Sequence, residues 1–335
     1  MTHNDTRFTH ARPLVQKFFQ WFSRAATLSF AVVFLIPGVQ AQDEVLQYAG
    51  GDREIETLRV VTDTSFTAGL VDNLAGSFVE VEAVVDGEES PLGYSLDEDD
   101  RERIASADLV VYQGLGLMPE FIQAAEARDK ADRVVLTDRI PEFRLLKTED
   151  GVNPHTYHDP SLLQYSVDHL TVQLKERLEA VAGEIEGNRL RVNIELQSLN
   201  RETEGLLEDL SRTERVLVTD NDVFAYFAEA YHFELLDVTD EKQSKKAIEL
   251  IARNQTPHVF PVAGTGGGAL EEWLEANRGS AIPESVSLAS PLTGLWLAES
   301  NLPTGTYIGL FRENVSEIIL GLNPLPAAGG GAPTE

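Results

Sequence analysis

The sequence predicts an α/β protein made of two lobes with mostly parallel sheets, joined by a long backbone helix and separated by an interlobe cleft. Short β-branched segments alternate with amphipathic segments in residues 58–137, and the same alternation resumes in residues 215–322. Such alternation favours parallel strands covered by helices on both faces. Residues 161–210, which lie between the two regions, have helical periodicity. Since ligands of open α/β sheets bind beyond the carboxyl ends of the strands, two facing lobes imply a cleft that binds a ligand.

The chain begins with a segment typical of a cleavable signal peptide, which we assign to residues 1–41. Residues 7–24 supply positive charge, residues 25–39 are uncharged and largely apolar, and Val39-Gln40-Ala41 fits a small-x-small cleavage site. An uncleaved anchor is the alternative, although the apolar stretch is short for a membrane span. The chain contains no cysteine, so it can form no disulfide and carry no lipid-modified N-terminal cysteine. We therefore expect a soluble, monomeric protein without a lipid anchor, released into the periplasm.

The first lobe, residues 58–152, follows a polar and flexible leader at residues 42–57. Its strands are predicted at 58–62, 79–85, 108–112 and 133–137, and its helices at 66–75, 98–105 and 118–127. Gly76 is a suitable C-cap for the first of these helices. The acidic run from Asp97 to Asp100 is interpreted as the first turn of the second helix, where carboxylates complement the helix dipole. A role in collecting metal ions is the alternative.

Residues 153–212 contain a turn and the linking helices. The turn is Asn153-Pro154-His155-Thr156-Tyr157-His158-Asp159-Pro160, and its two prolines predict a rigid loop rather than a helix interior. Helices are predicted at 161–181 and 185–210, separated near Gly183. The second would be roughly 40 Å long. Its apolar stripe is predicted to contain Ile185, Leu190, Ile194, Leu199, Leu206 and Leu210.

The second lobe, residues 213–322, repeats the alternation of the first. Its strands are predicted at 215–219, 234–238, 258–262 and 286–288, and its helices at 223–230, 244–253, 270–277 and 307–322. Residues 323–335 are rich in proline, glycine and alanine, which predicts a disordered tail.

The formal net charge of −28 argues against nucleic acid and anionic membranes as partners, because both would be repelled. We interpret the acidity as a solvated surface suited to solubility or a saline habitat, with the concentration of cations as the alternative. The sequence contains no cysteine nucleophile, G-x-S-x-G, H-E-x-x-H or Walker motif. We therefore do not expect an enzyme.

Four segments resemble a known family, the zinc/manganese-type solute-binding proteins of ABC importers. The segments are Ala107-Asp108-Leu109-Val110-Val111-Tyr112-Gln113-Gly114-Leu115-Gly116-Leu117, the turn from Asn153 to Pro160, the segment from Leu217 to Phe227, and the segment from Tyr307 to Asn314. They occur in the family's order and are spread over residues 58–322. The resemblance implies two lobes spanned by a rigid helix and four metal ligands in the cleft, two from each lobe.

The resemblance also implies that three of the four metal-ligand positions carry other residues here. Leu92, Asn221 and Ser290 stand where the family has ligands, and His155 is retained. Leucine cannot donate an electron pair, and an amide oxygen is a weak zinc ligand. Nearby residues of suitable type are His158, Asp220, Asp222 and His232, the last at a position where the family usually has glycine. The candidate metal set is therefore His155, Asn221, His158, Asp220 and Asp222, although residues spaced this way along a loop need a turn to converge, and Asp222 also suits a helix cap.

Two functions follow from the resemblance. The first is a periplasmic solute-binding protein that captures a divalent metal, or a related small ligand, in the cleft and delivers it to an ABC permease. Zinc or manganese would then be the transported ligand, held weakly or not at all. The alternative is a degenerate member of the family that binds no metal and serves as an interaction or regulatory module.

Overall fold

The structure of the protein, a computed structural model, describes residues 57–86, 90–149, 151–254, 256–265, 268–294 and 306–322. The predicted signal peptide at 1–41, the predicted leader up to residue 56 and the predicted tail at 323–335 lie outside these residues. Within the described ranges, no helix is both long enough and apolar enough to cross a membrane.

The first half of the described chain is built on a four-stranded sheet with the strand order β2-β1-β3-β4. The strands are β1 (Leu58–Thr64), β2 (Val79–Val85), β3 (Leu109–Tyr112) and β4 (Arg133–Val135). All neighbours pair in parallel. Every residue of β3 is buried, as expected for a parallel strand that is covered on both faces. The predicted parallel sheet is therefore confirmed.

Three helices follow the first three strands: α1 (Ser65–Ala75), α2 (Glu98–Ser106) and α3 (Pro119–Glu126). Helix α1 ends at Gly76, whose φ of 53° favours glycine, so the predicted C-cap is confirmed. Helix α2 begins with a capping box. The Asp97 carboxylate accepts the N–H of Asp100, and the Asp100 carboxylate accepts the N–H of Asp97. The acidic run is therefore the first turn of a helix.

A short antiparallel hairpin, β5 (Lys147–Thr148) and β6 (Gly151–Val152), precedes the turn. It is absent from the sequence-based prediction, because strands of two residues are too short to show alternation.

Two long helices connect the halves of the chain: α4 (Pro160–Arg177) and α5 (Ala182–Leu207). Helix α5 has 26 residues, which corresponds to about 39 Å at the usual helical rise. Near its start, Asn188 donates to the carbonyl oxygen of Leu74 in α1 at 3.0 Å. At its end, the carbonyl oxygen of Leu207 accepts from Arg215 at 2.7 Å. The helix thus contacts both halves of the chain, as predicted.

The predicted apolar stripe of α5 is wrong in the middle of the helix. Leu190 and Ile194 are 51% and 63% exposed. The buried residues of the helix are Ile185, Val192, Leu196, Leu199, Thr203 and Leu207. These are spaced by three, four or seven residues, which is the spacing of one helical face, whereas Leu190 and Ile194 lie on the other side.

The second half contains parallel strand pairs covered by helices. The strands are β7 (Val216–Thr219), β8 (Glu234–Asp237), β9 (His258–Val259), β10 (Val262–Ala263), β11 (Ser287–Leu288) and β12 (Leu292–Thr293). The helices are α6 (Ala225–Tyr231), α7 (Glu241–Asn254), α8 (Ala269–Asn277) and α9 (Tyr307–Leu322). Strand β7 pairs with β8, β9 with β11, and β10 with β12. Val218, Leu236, Ile251 and Val259 belong to the buried core of this half.

The predicted strand at 258–262 is interrupted between β9 and β10. Pro261 has no N–H to donate, so the ladder cannot continue through it. Its carbonyl oxygen still accepts the N–H of Leu292 at 2.8 Å, and the preceding N–H of Phe260 donates to Val218 at 2.8 Å. The proline thereby transfers the chain from one short strand pair to the next.

Candidate functional site

The turn at residues 153–160 is compact and ends in a capped helix. Thr156–His158 form a 3₁₀ turn. Asp159 caps α4 by accepting the N–H of Ser161 at 2.8 Å. Pro160 is the first residue of α4, where a missing N–H leaves no hydrogen bond unmade. The segment is therefore a loop rather than a helix interior, as its two prolines predict.

Gln113 attaches this turn to the carboxyl ends of β1 and β3. Its side-chain amide donates to the carbonyl oxygen of Pro154 at 2.9 Å and to the hydroxyl of Thr156 at 2.8 Å. Its backbone N–H donates to the carboxylate of Asp63 at 2.8 Å, and its carbonyl oxygen accepts from the hydroxyl of Thr137 at 2.8 Å. One residue thus connects the turn to three other segments of the first half.

Asp63 is a buried carboxyl group that sequence reasoning missed. It lies near the end of β1, is 2% exposed, and accepts the N–H of Thr64 at 2.8 Å. Burial raises its pKa above the ordinary value, and hydrogen bonds from Thr67, Gln113 and Thr64 act in the opposite direction. The available signal was an acidic residue at the carboxyl end of an apolar strand, where α/β proteins place functional groups.

His155 and Tyr157 form a buried pair within the turn. The Nδ1 atom of His155 and the hydroxyl of Tyr157 are 2.6 Å apart. Burial lowers the pKa of His155 to about 3. Burial, and then the charge of Asp63, raise the pKa of Tyr157 well above its ordinary value. At neutral pH the imidazole is therefore uncharged, which is the form that can ligate a metal ion.

Tyr157 also connects the turn with helices from both halves of the chain. Its carbonyl oxygen accepts from the hydroxyl of Tyr307 in α9 at 2.9 Å. The ring of Phe66 in α1 lies 5.2 Å from the Tyr157 ring and 5.7 Å from the Tyr307 ring. This aromatic contact holds α1, the turn and α9 together.

His158 is fully buried and packs against the second half. Its ring centroid is 4.3 Å from that of Phe224 and 5.1 Å from that of Tyr157. Among the described residues, neither of its ring nitrogens has a hydrogen-bond partner. Burial, and then the nearby His155, lower the pKa of His158 well below its ordinary value. The imidazole is therefore held neutral in an aromatic environment.

The loop after β7, residues 220–223, lies next to the turn. The side-chain amide of Asn153 donates to the carbonyl oxygen of Asp222 at 2.9 Å. The side chain of Asn221 donates to the Asp220 carboxylate at 2.9 Å and accepts the N–H of Val223 at 3.1 Å. The structure therefore brings the turn that carries His155 and His158 close to the loop that carries Asp220, Asn221 and Asp222.

Tyr226 makes a second connection between the two segments. Its buried hydroxyl donates to the carbonyl oxygen of Asn153 at 3.1 Å and accepts the N–H of Leu146 at 3.0 Å. Leu146 precedes the turn and Asn153 is its first residue, so α6 holds the start of the turn in place.

The other positions of the predicted site are at the surface. Leu92 is 37% exposed, and Ser290 is exposed beside β12. His232 is also exposed and has a left-handed backbone with φ of 59°. His232 is the C-cap of α6, and a C-cap in the left-handed conformation is usually glycine, which explains why the family usually has glycine at this position. Within the part of the chain that the structure describes, no three His, Asp or Glu side chains are grouped so as to hold a metal ion.

The chain is similar to known proteins over most of its length. The profile of the family described as zinc-uptake complex component A, periplasmic (ZnuA), matches residues 60–320. The manganese-binding lipoprotein MntA of Bacillus subtilis (strain 168) is 24% identical over 283 residues, which cover 81% of this chain and 91% of that protein. The zinc-binding protein TroA of Treponema pallidum (strain Nichols) is 26% identical over 276 residues, which cover 78% of this chain and 88% of that protein.

Solved structures with a similar fold are also metal-binding proteins. The periplasmic zinc-binding protein TroA from Treponema pallidum superposes with a TM-score of 0.72 at 24% identity, over 79% of this chain and 99% of that chain. A cadmium-bound periplasmic metal-binding protein from Candidatus Liberibacter asiaticus gives a TM-score of 0.68 at 18% identity, over 79% of this chain and 100% of that chain. At these identities the structures show a shared fold.

Proposed function

The chain belongs to the family of periplasmic zinc-uptake components, and on that premise we propose that it captures a divalent metal ion of the zinc and manganese class for an ABC permease. The family consists of solute-binding transport proteins, as the named relatives indicate, rather than enzymes. The proposed role is therefore to bind the transported ion between the two halves of the chain and to release it at the membrane.

One observation supports the binding step most directly. The turn from the middle of the chain and the loop after β7 are joined by the hydrogen bond from Asn153 to the carbonyl oxygen of Asp222. His155 lies on one of these segments and Asn221 on the other. A ligand held by both segments would contact both halves of the chain, and its binding could therefore stabilise one relative arrangement of the halves.

We assign the metal to His155 together with donors from the loop at 220–222. The neutral imidazole of His155 supplies a nitrogen donor, and the hydroxyl of Tyr157 on its Nδ1 atom would orient the ring, as outer hydrogen bonds do in metal sites. Asp220 or Asp222 would supply a carboxylate and Asn221 an amide oxygen once the loop adjusts to the ion, since the described side chains are not grouped around one ion in this structure. His158 would join this set only if its ring turned away from Phe224.

This donor set predicts binding that is weaker than binding by four strong ligands. Leu92 and Ser290 are unsuited to replace an imidazole and a carboxylate, so water would complete the coordination. One imidazole with oxygen donors suits manganese as well as zinc. The alternative is a family member that binds no metal, and metal-dependent thermal stability distinguishes it from a weak metal site.

The cellular setting is part of the proposal. We propose export through a signal peptide cleaved after Ala41 and a soluble monomer in the periplasm. Several relatives are lipoproteins, but this chain has no cysteine to carry a lipid.

The experiment compares melting temperatures of metal-depleted protein with and without Zn²⁺ or Mn²⁺. A ligand at one hundred times its dissociation constant stabilises the native state by about 2.7 kcal/mol, which corresponds to a rise of roughly 5 °C in a protein of this size. We expect His155→Ala to abolish this rise. The matched control is His232→Asn, because His232 is an exposed histidine outside the proposed donor set and asparagine tolerates its left-handed backbone. Absence of any rise in the wild type, or an equal rise in His155→Ala, would overturn the proposal.

A further inference from the structure

A cavity of about 330 Å³ lies beside the edge strand β4, on the outside of the first sheet. It is lined by the 3₁₀ turn before β4, by β4 itself, by the residues that follow it, and by one face of α4. The lining residues are Lys130, Arg133, Val134, Val135, Asp138, Arg139, His169 and Gln173. This volume is at the lower end of the range for small-molecule sites. None of these residues belongs to the proposed metal site.

The charge of the cavity is opposite to that of the protein. Lys130, Arg133 and Arg139 are permanent cations, and Asp138 is the acidic residue in the lining. The chain as a whole has a net charge of −28. Three cations around one small cavity therefore concentrate positive charge in a protein whose remaining surface is strongly acidic. Because salt screens charges beyond about 8 Å at physiological ionic strength, these local cations dominate the potential inside the cavity.

Within the described ranges, these three cations form no ion pairs. Other basic residues do so: Arg101 pairs with Glu120, and Arg189 of α5 pairs with Asp168 of α4 at 2.9 Å. Of the three, Arg133 donates to a backbone oxygen, that of Ala125, at 3.4 Å. The guanidinium and ammonium groups at the cavity therefore keep most of their hydrogen-bonding capacity.

Arg139 also lies close enough to His169 for its charge to act on that ring. The positive charge of Arg139 contributes, after burial, to a lowered pKa of His169, and Asp138 opposes this effect. Three cations and one carboxylate, that of Asp138, line the cavity, so a net positive charge remains for an anion to neutralise. Guanidinium groups in particular match the geometry of phosphate and carboxylate oxygens.

We propose that this cavity binds a small multivalent oxyanion of the phosphate class, at a site separate from the metal site. Lys130 and Arg139 are exposed and contact the anion from the solvent side, while Arg133 is half-buried and contacts it from β4. The source is a free anion rather than a lipid headgroup, since the net charge of −28 on the chain repels anionic membranes.

The test is a calorimetric titration of resin-treated, metal-free protein with sodium phosphate, at an ionic strength held constant with sodium chloride. A chelating resin replaces soluble chelators because those are themselves polyanions. We expect saturable phosphate binding that Arg139→Gln weakens by about tenfold or more, as the loss of a charge-assisted hydrogen bond predicts. Lys130→Gln should weaken it in the same direction. Both residues are exposed, so neither change should prevent folding.

Arg212→Gln is the matched control, because Arg212 is an exposed arginine in the second half of the chain. It should bind phosphate like the wild type. A heat signal reproduced by sodium chloride alone, or equal affinity in Arg139→Gln and Arg212→Gln, would overturn the proposal. Sedimentation with phosphatidylglycerol vesicles tests the source of the anion. We expect no binding, whereas vesicle binding that is lost in Arg139→Gln would assign the same site to a headgroup.

Discussion

The substitution His158→Leu tests whether a buried neutral imidazole makes this fold sensitive to acid. His158 is fully buried, packs on Phe224 at 4.3 Å, and has no hydrogen-bond partner among the described residues. Its pKa is lowered well below 6.5, first by burial and then by His155. The unfolded chain, in contrast, protonates this ring near pH 6.5. Below that pH the unfolded state binds more protons than the native state. The contribution of the neutral His158 ring to the free energy of unfolding is therefore complete above pH 6.5 and is lost as the pH falls.

The size of the effect follows from one proton per molecule. Each pH unit below 6.5 costs the native state about 1.36 kcal/mol for one such histidine. Between pH 7.5 and pH 5.0 the wild type therefore loses about 2 kcal/mol relative to a variant that lacks the ring. At pH 7.5 the leucine variant should be as stable as the wild type or more so, because it removes two unsatisfied polar atoms at similar volume.

The assay is urea unfolding of metal-depleted protein at both pH values. The free energy of unfolding of His158→Leu, relative to that of the wild type, should be about 2 kcal/mol greater at pH 5.0 than at pH 7.5. The matched control is His232→Asn, because asparagine tolerates the left-handed backbone of this exposed residue. Its difference from the wild type should be similar at both pH values. If the free energies of unfolding of His158→Leu and the wild type differed by the same amount at pH 7.5 and pH 5.0, the His158 imidazole would have the same pKa in the native and unfolded states. That result would contradict the prediction.

Further predictions concern packing and hydrogen bonding, and urea unfolding at neutral pH checks each of them. Gly321→Ala should destabilise the protein by about 1–3 kcal/mol, because the new Cβ would lie 2.5 Å from the buried ring of Phe260. Gly205→Ala in α5 should instead stabilise it by about 0.5–1 kcal/mol, because nothing lies within 4 Å of its Cβ position; equal effects of the two substitutions would contradict this packing. Tyr226→Phe should cost about 1–3 kcal/mol by leaving two backbone groups unsatisfied, whereas Tyr165→Phe at the surface should change little.

Much of the fold was predictable because its signals are local. The β-branched run of β1 and the acidic first turn at Asp97 to Asp100 each depend on residues within one element, and both predictions were confirmed. The break between β9 and β10 was not predicted, although Pro261 is visible in the sequence. The effect of this proline depends on the neighbouring strands, to which Phe260 and Pro261 are hydrogen-bonded.

The buried face of α5 could not be predicted from the sequence of that helix alone. The sequence of this helix offers apolar residues on more than one side, including Leu190 and Ile194. Which side is buried depends on α1 and α4, which pack against the helix from earlier in the chain. Tertiary contacts of this kind override the pattern of a single helix.

Some features of the candidate site could be predicted from the sequence, and others depend on contacts with distant segments. The turn was predictable because two prolines restrict its backbone, and His155 was identifiable from the resemblance. Asp63 and Gln113 were not, since each acts through partners more than forty residues away. The position of His232 became understandable only from its left-handed backbone, which glycine adopts without strain. Distances between segments, rather than residue types, were the missing information.

The most direct test of the proposed metal site is an anomalous-scattering measurement on crystals of the mature protein grown with zinc. We expect an anomalous peak at coordination distance, about 2.0–2.2 Å, from a ring nitrogen of His155, with oxygen donors from the loop at 220–222. A well-diffracting crystal with no peak at His155, or with zinc bound only elsewhere, would contradict the proposed site and favour a scaffold that binds no metal between its halves.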